Sequence, residues 1–330
     1  MEKLEKKMKE SMDSAVQMAE KMMEENPSMG MDEAIAKALT VLADKKNKSI
    51  EAKARKDMSV SRDRLRKLVQ VAYDYQDLRI RTANRLSRKA DGTDQDKDDA
   101  ILPEQEIPQI IKVLERSQSM EKSIFDDIDR EVKKFPIYTE FLSKVKGCGP
   151  AMSAILISCI DIHKADTAAK ITQYAGLNPG MVRGKKKDKD GSIVTTDDMV
   201  RGDRPTKGYI LPYNAFLKTK LMGVLATCFI KCGSQYRYYY DARKNRLMSS
   251  ELPVNGNDEK KWKDETKAHI NMAAQRYMMK MFLQDLYGVW RKLEGLPVRE
   301  PYQKEYLGHE TTMPSIADEI MGGEGVRKDV

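Results

Sequence analysis

Apolar residues recur at intervals of three or four positions through most of this 330-residue chain, as in Leu4, Met8, Met12 and Ala15. A spacing of this kind places the apolar side chains on one face of an α-helix. The regular recurrence of Leu, Ile and Val also argues against a disordered chain. The sequence therefore predicts a mainly α fold.

The first 134 residues are predicted to form a helical arm. A first helix ends at the run ENPSMG, a second begins near Asp32, and a third, long helix extends from about Ser49 to Lys89. The acidic stretch DGTDQDKDD has no apolar residue and is predicted to be a loop. A fourth helix follows it and ends at the Phe-Pro pair at 135–136, because a residue before proline avoids the helical conformation.

The long helix of this arm is strongly basic. Residues 51–90 hold 12 Lys or Arg against 5 Asp or Glu. This balance is typical of a solvated helix face, and it also fits a basic stripe that faces a polyanion. Long helices also pair into coiled coils, so a homo-oligomer formed through this arm is a second expectation, although no sustained heptad repeat is present.

Composition excludes several classes of protein. No apolar run approaches the roughly 18–20 residues that a membrane-spanning helix needs. Four cysteines cannot form a disulfide scaffold, and the C-x3-C pair at Cys228 and Cys232 lacks the second pair of ligands typical of a zinc site, so we expect buried thiols and no metal. The charged N-terminus has no signal-peptide pattern, and a reducing cytoplasm is the expected location.

A glycine hairpin is predicted shortly after the helical arm. Lys146, Gly147, Cys148 and Gly149 form a tight turn between two apolar helices, and Pro150 suits the first position of the second helix. Glycines allow unusual backbone angles and close approach, and free N–H groups at a helix start attract anions. We expect these four residues to clamp a nucleic-acid phosphate, with an ordinary packing hairpin as the alternative.

A basic and aromatic stretch follows the hairpin. Residues 181–220 hold 10 Lys or Arg against 5 Asp, with three aromatic residues among them. Such a mixture is typical of a surface that binds a phosphate backbone and stacks on bases, and it also fits a solvated, mobile loop. The cationic residues expected to contact DNA here are Arg183, Lys185, Lys186, Lys187, Arg204 and Lys207.

The remaining chain is predicted to contribute mainly to the core. Four tyrosines within residues 236–240 favour packing over stacking on nucleic acid. The last helix carries an apolar face that ends near Trp290. We therefore predict a helix-hairpin-helix domain at 135–296 and a loosely ordered tail at 297–330.

The motifs of this second domain resemble a known family. Gly147-Cys148-Gly149-Pro150, then Asp161-Ile162, then the run YAGLNP at 174–179 follow one another in order. This order is similar to the C-terminal transposase domain of the insertion-sequence recombinases, which pair a RuvC-like DEDD nuclease domain with a serine-bearing domain. The resemblance covers about residues 138–293 and implies a transposase-like, DNA-binding domain.

Two departures limit what the resemblance implies about catalysis. The DEDD half needs acidic residues on strands, and residues 1–134 show no such strand. The family's serine position is occupied by Arg183, so Ser192 is the remaining nucleophile candidate, without an evident base. The aspartates at 197, 198 and 203 are not favoured as metal ligands, and Mg2+ is expected only with a nuclease activity.

The resemblance implies a DNA-binding protein of the transposition or recombination type, encoded by a mobile element or phage in a bacterial cell. It would bind the DNA backbone through the glycine hairpin and basic loops. One alternative is an active recombinase that works with a partner nuclease domain. A guide or structured RNA is a further partner that the sequence leaves open. Another is a non-catalytic phage RNA-binding or structural protein.

Overall fold

The computed structural model describes residues 2–25, 29–87, 108–254, 257–300 and 315–322. It confirms the mainly α fold. None of the described helices is long and apolar enough to cross a membrane. In chain order the helices are α1 (Glu2–Glu25), α2 (Met31–Ser87), α3 (Pro108–Val132), α4 (Pro136–Glu140), α5 (Pro150–Cys159), α6 (Ala168–Tyr174), α7 (Ala215–Thr219), α8 (Ala226–Cys232), α9 (Arg237–Met248), α10 (Lys267–Leu293) and α11 (Ala317–Met321).

Two small antiparallel sheets accompany the helices. Strands β1 (Met181–Lys187) and β2 (Ile193–Arg201) form a two-stranded ribbon, and β3 (Pro253–Val254) pairs with β4 (Asn257–Lys261). The ribbon corrects the expectation of a loop in the Lys-rich stretch. Its physical basis is the pairing of β-branched residues on β2 with the long lysine side chains of β1, closed by a turn at Gly191, whose φ is +85°.

The chain divides into two compact units, residues 1–64 and residues 65–330. In the first unit, α1 and the beginning of α2 pack through small residues. Their buried core consists of Ala15, Ala19, Ala34 and Ala38, with methionines and aliphatic residues around it. Alanine at these positions lets two helices approach closely. Ala15 of the apolar repeat belongs to this contact face, whereas Met12 of the same repeat is 52% exposed.

The predicted second and third helices are a single helix, α2. The sequence from residue 31 to residue 87 contains neither Gly nor Pro, so nothing in it interrupts the backbone hydrogen bonds. The acidic loop predicted at 91–99 lies outside the described residues. The predicted domain boundary near residue 134 lies inside the larger unit, because residues 65–87 of α2 and all of α3 belong to that unit.

In the larger unit, α2 is fixed to its neighbours by partly buried polar contacts. The Arg79 guanidinium pairs with the carboxylate of Glu121 on α3, which also accepts a hydrogen bond from Gln76. The Arg66 guanidinium donates to the backbone oxygen of Ser158 at 2.6 Å. Two cations of the predicted basic stripe are therefore engaged within the protein.

Helix α10 forms the centre of the larger unit. Its Phe282 contacts Phe229 of α8 and Tyr236, both edge-to-face. Three of the four clustered tyrosines, at 236, 239 and 240, are buried, which confirms their predicted role in the core. Tyr238 is the exception, since 44% of it is exposed.

One short segment of the C-terminal tail, which the sequence predicts to be loosely ordered, is helical, whereas the described residues 297–300 have no regular secondary structure. Residues 317–321 form α11, in which Ala317 and Ile320 are buried. The Ser315 hydroxyl donates to the Asp285 carboxylate of α10 at 2.7 Å. Two apolar residues one turn apart and one hydrogen bond are enough to hold this short helix on the core.

Candidate nucleic-acid interface

The glycine hairpin joins α4 and a 3-10 turn (Leu142–Lys144) to α5. Gly147 has a φ of +93°, which L-residues rarely adopt, as the sequence predicts. Gly149 differs from the prediction. It caps α5 in an extended conformation, with φ of −71°, that any residue can take. Only one of the two glycines is therefore required by backbone conformation.

One side of the hairpin is closed by helix α8. A Cβ added to Gly147 would lie 2.8 Å from the Cys232 sulfur and 3.3 Å from the Cys228 sulfur. The backbone N–H of Lys146 donates to the Gln235 side chain at 3.1 Å. Gly147 thus allows the hairpin to approach α8 closely. On this side the hairpin has the packing role that the sequence analysis gave as the alternative.

The other side of the hairpin is open. A Cβ at Gly149 would meet nothing within 4 Å, and the Lys146 side chain is exposed. The N–H groups of Gly149 and Ala151 make no backbone hydrogen bond within the described chain. The Cys148 side chain is buried and burial raises the pKa of its thiol to about 12, so this residue offers no charge to a ligand.

The β1–β2 ribbon presents two lysines on one face. Lys185 pairs with Thr195 and Lys187 with Ile193 across the ribbon, and alternate residues of a strand point the same way. All four of these side chains are exposed. The ribbon therefore carries cationic and apolar groups side by side on a surface open to solvent.

Lys186 points to the opposite face and is engaged there. Its ammonium lies 3.4 Å from the Asp198 carboxylate and 4.3 Å from the ring centre of Tyr209. Hydrogen bonding with Tyr209 and Asp198 raises the pKa of Lys186, and the same contacts lower the pKa of Asp198. Lys186 is thus held by the protein, whereas no hydrogen bond or ion pair with a described residue holds the side chains of Lys185 and Lys187.

The segment after β2 packs along β1. The N–H of Ile210 donates to the Lys185 oxygen at 2.7 Å, and Tyr209 covers Gly184. Arg204 and Lys207, in this segment, are exposed. The structure therefore connects the ribbon with the predicted basic residues that follow it. Among the described residues, no hydrogen bond, ion pair or ring contact links this group to the glycine hairpin.

Ser192 lies in the exposed turn of the ribbon. Its hydroxyl donates to the Asp190 carboxylate at 2.8 Å, and its N–H donates to the same oxygen at 3.0 Å. These two bonds lower the pKa of Asp190, which makes this carboxylate a weak base. The geometry is that of a turn closed by an Asp side chain, and it gives Ser192 no activated neighbour.

The three aspartates considered as metal ligands have different surroundings. Asp197 is exposed, Asp198 binds Tyr209 and Lys186, and Asp203 is buried beside arginines. Within the described ranges no group of three or more His, Cys, Asp or Glu is placed to hold a metal ion. The cysteines at 159, 228 and 232 are half-buried rather than fully buried.

Sequence reasoning missed the partners of Asp203. Arg201 lies 3.1 Å and Arg276 4.0 Å from its carboxylate, and Lys218 donates to its backbone oxygen. Arg276 belongs to α10, which the apolar pattern assigned to the core. The available signal was the spacing of Arg276 and Lys280, two cations one helical turn apart on this helix.

A cleft of about 600 Å3 also lies in the larger unit, between α2, α5, α6 and α7. Three aromatic side chains line it, Tyr73, Tyr174 and Phe216, together with Arg66. The Lys220 ammonium lies 3.6 Å from the ring centre of Tyr73. Cations and aromatic rings thus lie together in this cleft, but of the residues named only Phe216 and Lys220 belong to the basic and aromatic stretch at 181–220.

Residues 139–201 match the model of the transposase IS116/IS110/IS902 family. The matched stretch begins in α4, includes the glycine hairpin and α5, and ends at the last residue of β2. It confirms the resemblance to a transposase domain over those residues and associates the chain with transposition. No curated protein and no solved structure gives a significant match.

Proposed function

We propose that this protein binds the backbone of DNA in transposition or recombination. The observation that carries the proposal is the exposed β1–β2 ribbon, which ends the stretch that matches a transposase family. Its face with Lys185 and Lys187 is open to solvent and free of ion pairs with described residues.

A two-stranded ribbon has the width to enter the major groove of duplex DNA, about 12 Å across. Lys185 and Lys187 would pair with phosphates at the groove edge and release condensed counterions. Ile193, which pairs with Lys187 and is 63% exposed, would face the base edges, where apolar side chains contact thymine methyl groups. The ribbon would thus supply both charge and apolar contact.

The segment that packs along the ribbon would extend this surface. Arg204 and Lys207 are exposed and would meet the phosphates that flank the groove. The glycine hairpin would add a smaller contact through Lys146 and the N–H groups of Gly149 and Ala151, on the side that α8 leaves open. The positions of these groups thus explain how a domain that resembles a transposase would bind DNA.

Fluorescence anisotropy on a labelled DNA duplex tests the proposal. Replacing Lys185 and Lys187 together by Gln should weaken binding at least about ten-fold and reduce the slope of log affinity against log salt by about 2. The matched control replaces Lys164 and Lys292, two exposed lysines elsewhere in the larger unit, by Gln. Equal weakening by both double variants would contradict a role for the ribbon.

A structured RNA of equal length, labelled in the same way, is the competing ligand. The A-form duplex has a deep, narrow major groove that a ribbon cannot enter. We expect DNA to bind more tightly than RNA under the same salt. Tighter binding of RNA would replace the proposed function with that of an RNA-binding protein.

A further inference from the structure

The buried carboxylate of Asp203 lies among an excess of cations. Its oxygens face Arg201 at 3.1 Å and Arg276 at 4.0 Å. Lys218 donates to the backbone oxygen of Asp203, and its ammonium lies 4.6 Å from the ring centre of Tyr213. One residue thus contacts three cations, two at its carboxylate and one at its backbone oxygen, and these cations come from β2, α10 and α7.

Two further cations lie on the packed helices α9 and α10. Lys280 follows Arg276 by one turn of α10, so both side chains lie on one face of that helix. Arg243 of α9 lies over the Tyr277 ring, 5.4 Å from its centre. Both Lys280 and Arg243 are half-buried, and no hydrogen bond or ion pair holds the Lys280 ammonium within the part of the chain that the structure describes.

Burial and neighbouring positive charges destabilise the protonated forms of the lysines in this group. Burial lowers the pKa of Lys280, the neighbouring charges of Arg276 and Arg243 lower it further, and Asp203 opposes them. Burial also lowers the pKa of Lys218, again against the effect of Asp203. Partly buried like charges cost folding free energy, and a bound anion relieves this cost by pairing with several of them at once.

The four cations on helices α7, α9 and α10, of which Arg276 pairs with Asp203, are called here the cation cluster: Lys218, Arg243, Arg276 and Lys280. We propose that the cation cluster holds a phosphate group of the DNA backbone. The planar guanidinium of arginine binds two phosphate oxygens at once, and the lysine ammonium adds a point charge. That the phosphate belongs to DNA rests on the function proposed above.

The test replaces Lys280 by Met, which keeps the apolar stem and removes the charge. Lys292→Met is the matched control, because Lys292 is an exposed lysine on the same helix. Arg243→Met removes a cation of the cluster from a different helix, and Lys280→Arg keeps a positive charge at position 280. Each variant is assayed for duplex binding by anisotropy, and for thermal unfolding in sodium phosphate and in sodium chloride of equal ionic strength.

Lys280→Met should melt no lower than the wild type in chloride, because a partly buried charge has been removed. Its duplex affinity should fall about ten-fold, the typical effect of losing one charged hydrogen bond, and its salt slope should fall by about 1. Phosphate should raise the melting temperature of the wild type more than that of Lys280→Met. Arg243→Met should lose affinity to a similar extent. Lys280→Arg and Lys292→Met should bind the duplex as tightly as the wild type.

Three results would overturn the assignment. If the wild type binds DNA and Lys280→Met and Arg243→Met bind as tightly as Lys292→Met, the cation cluster contacts no DNA phosphate, although the proposed function stands. If phosphate protects the wild type but no duplex binds, the site holds a free oxyanion, and the proposed function fails as well. If neither phosphate nor duplex has an effect, no oxyanion site exists.

Discussion

Tyr209 lies directly over Gly184, so that a Cβ on residue 184 would come within 2.5 Å of the tyrosine ring. This contact fixes the segment after β2 against the ribbon, at the place where the register between the strands shifts. The Tyr209 hydroxyl also donates to the Asp198 carboxylate at 2.6 Å. One aromatic residue thus ties both strands of the ribbon to the segment that carries Arg204 and Lys207.

Gly184→Ala should destabilise the protein because the new methyl group cannot fit beneath Tyr209. Overpacking of this kind costs about 1–3 kcal/mol of the free energy of unfolding. Urea denaturation measures the loss. In a double-mutant cycle with Tyr209→Leu, the two losses should not add, since the smaller side chain makes room for the methyl group. Additive losses would show that the ring does not restrict residue 184.

The two glycines of the hairpin should respond differently to alanine. Gly147→Ala introduces a side chain at a φ of +93° and against the Cys232 sulfur, so it should lower the free energy of unfolding by about 2 kcal/mol or more. Gly149→Ala meets open space in an ordinary conformation and should cost less than about 1 kcal/mol. Equal costs, measured by urea denaturation, would contradict the asymmetry of the hairpin.

Asp285 should make stability depend on pH. Burial raises its pKa from 3.8 to about 6, although Ser315 and Tyr236 donate hydrogen bonds to it. The folded protein therefore binds more protons than the unfolded chain between these values. The contribution of Asp285 to the free energy of unfolding is fully present below pH 3.8 and is lost as the pH rises through 6, a change of about 3 kcal/mol.

Asp285→Asn tests this dependence, because the amide does not titrate. Urea denaturation of both proteins at several pH values between 4 and 7 gives the difference in their free energies of unfolding. The wild type should gain stability relative to the variant as the pH falls through 6. A difference that stays constant across this range would mean that Asp285 titrates at its ordinary pKa.

Much of the helical framework could be predicted from the sequence, since apolar spacing and helix-breaking residues depend on local chemistry alone. The same spacing identified the buried tyrosines. The predicted break in α2 was wrong because a fall in apolar content does not end a helix that lacks Gly and Pro. Dimerisation through the N-terminal helices stays a prediction, and size-exclusion chromatography with light scattering would test it.

The parts of the site that could not be predicted from the sequence depend on contacts between residues that are far apart along the chain. The Lys-rich stretch resembles a solvated loop by composition, and only pairing with Ile193–Arg201 makes it a strand. The contact between Asp203 and Arg276 joins the segment after β2 to a helix that begins 64 residues after Asp203. The sequence predicts that Gly147 approaches a ligand, because local patterns do not show that α8 is its neighbour.

The salt dependence of duplex binding by the wild-type protein tests the central claim most directly. Pairing of the five exposed cations Arg183, Lys185, Lys187, Arg204 and Lys207 with phosphates predicts a slope of log affinity against log salt of about −4 or steeper. Anisotropy titrations between low and physiological salt give this slope. A slope near zero, or no measurable binding at low salt, would contradict the account.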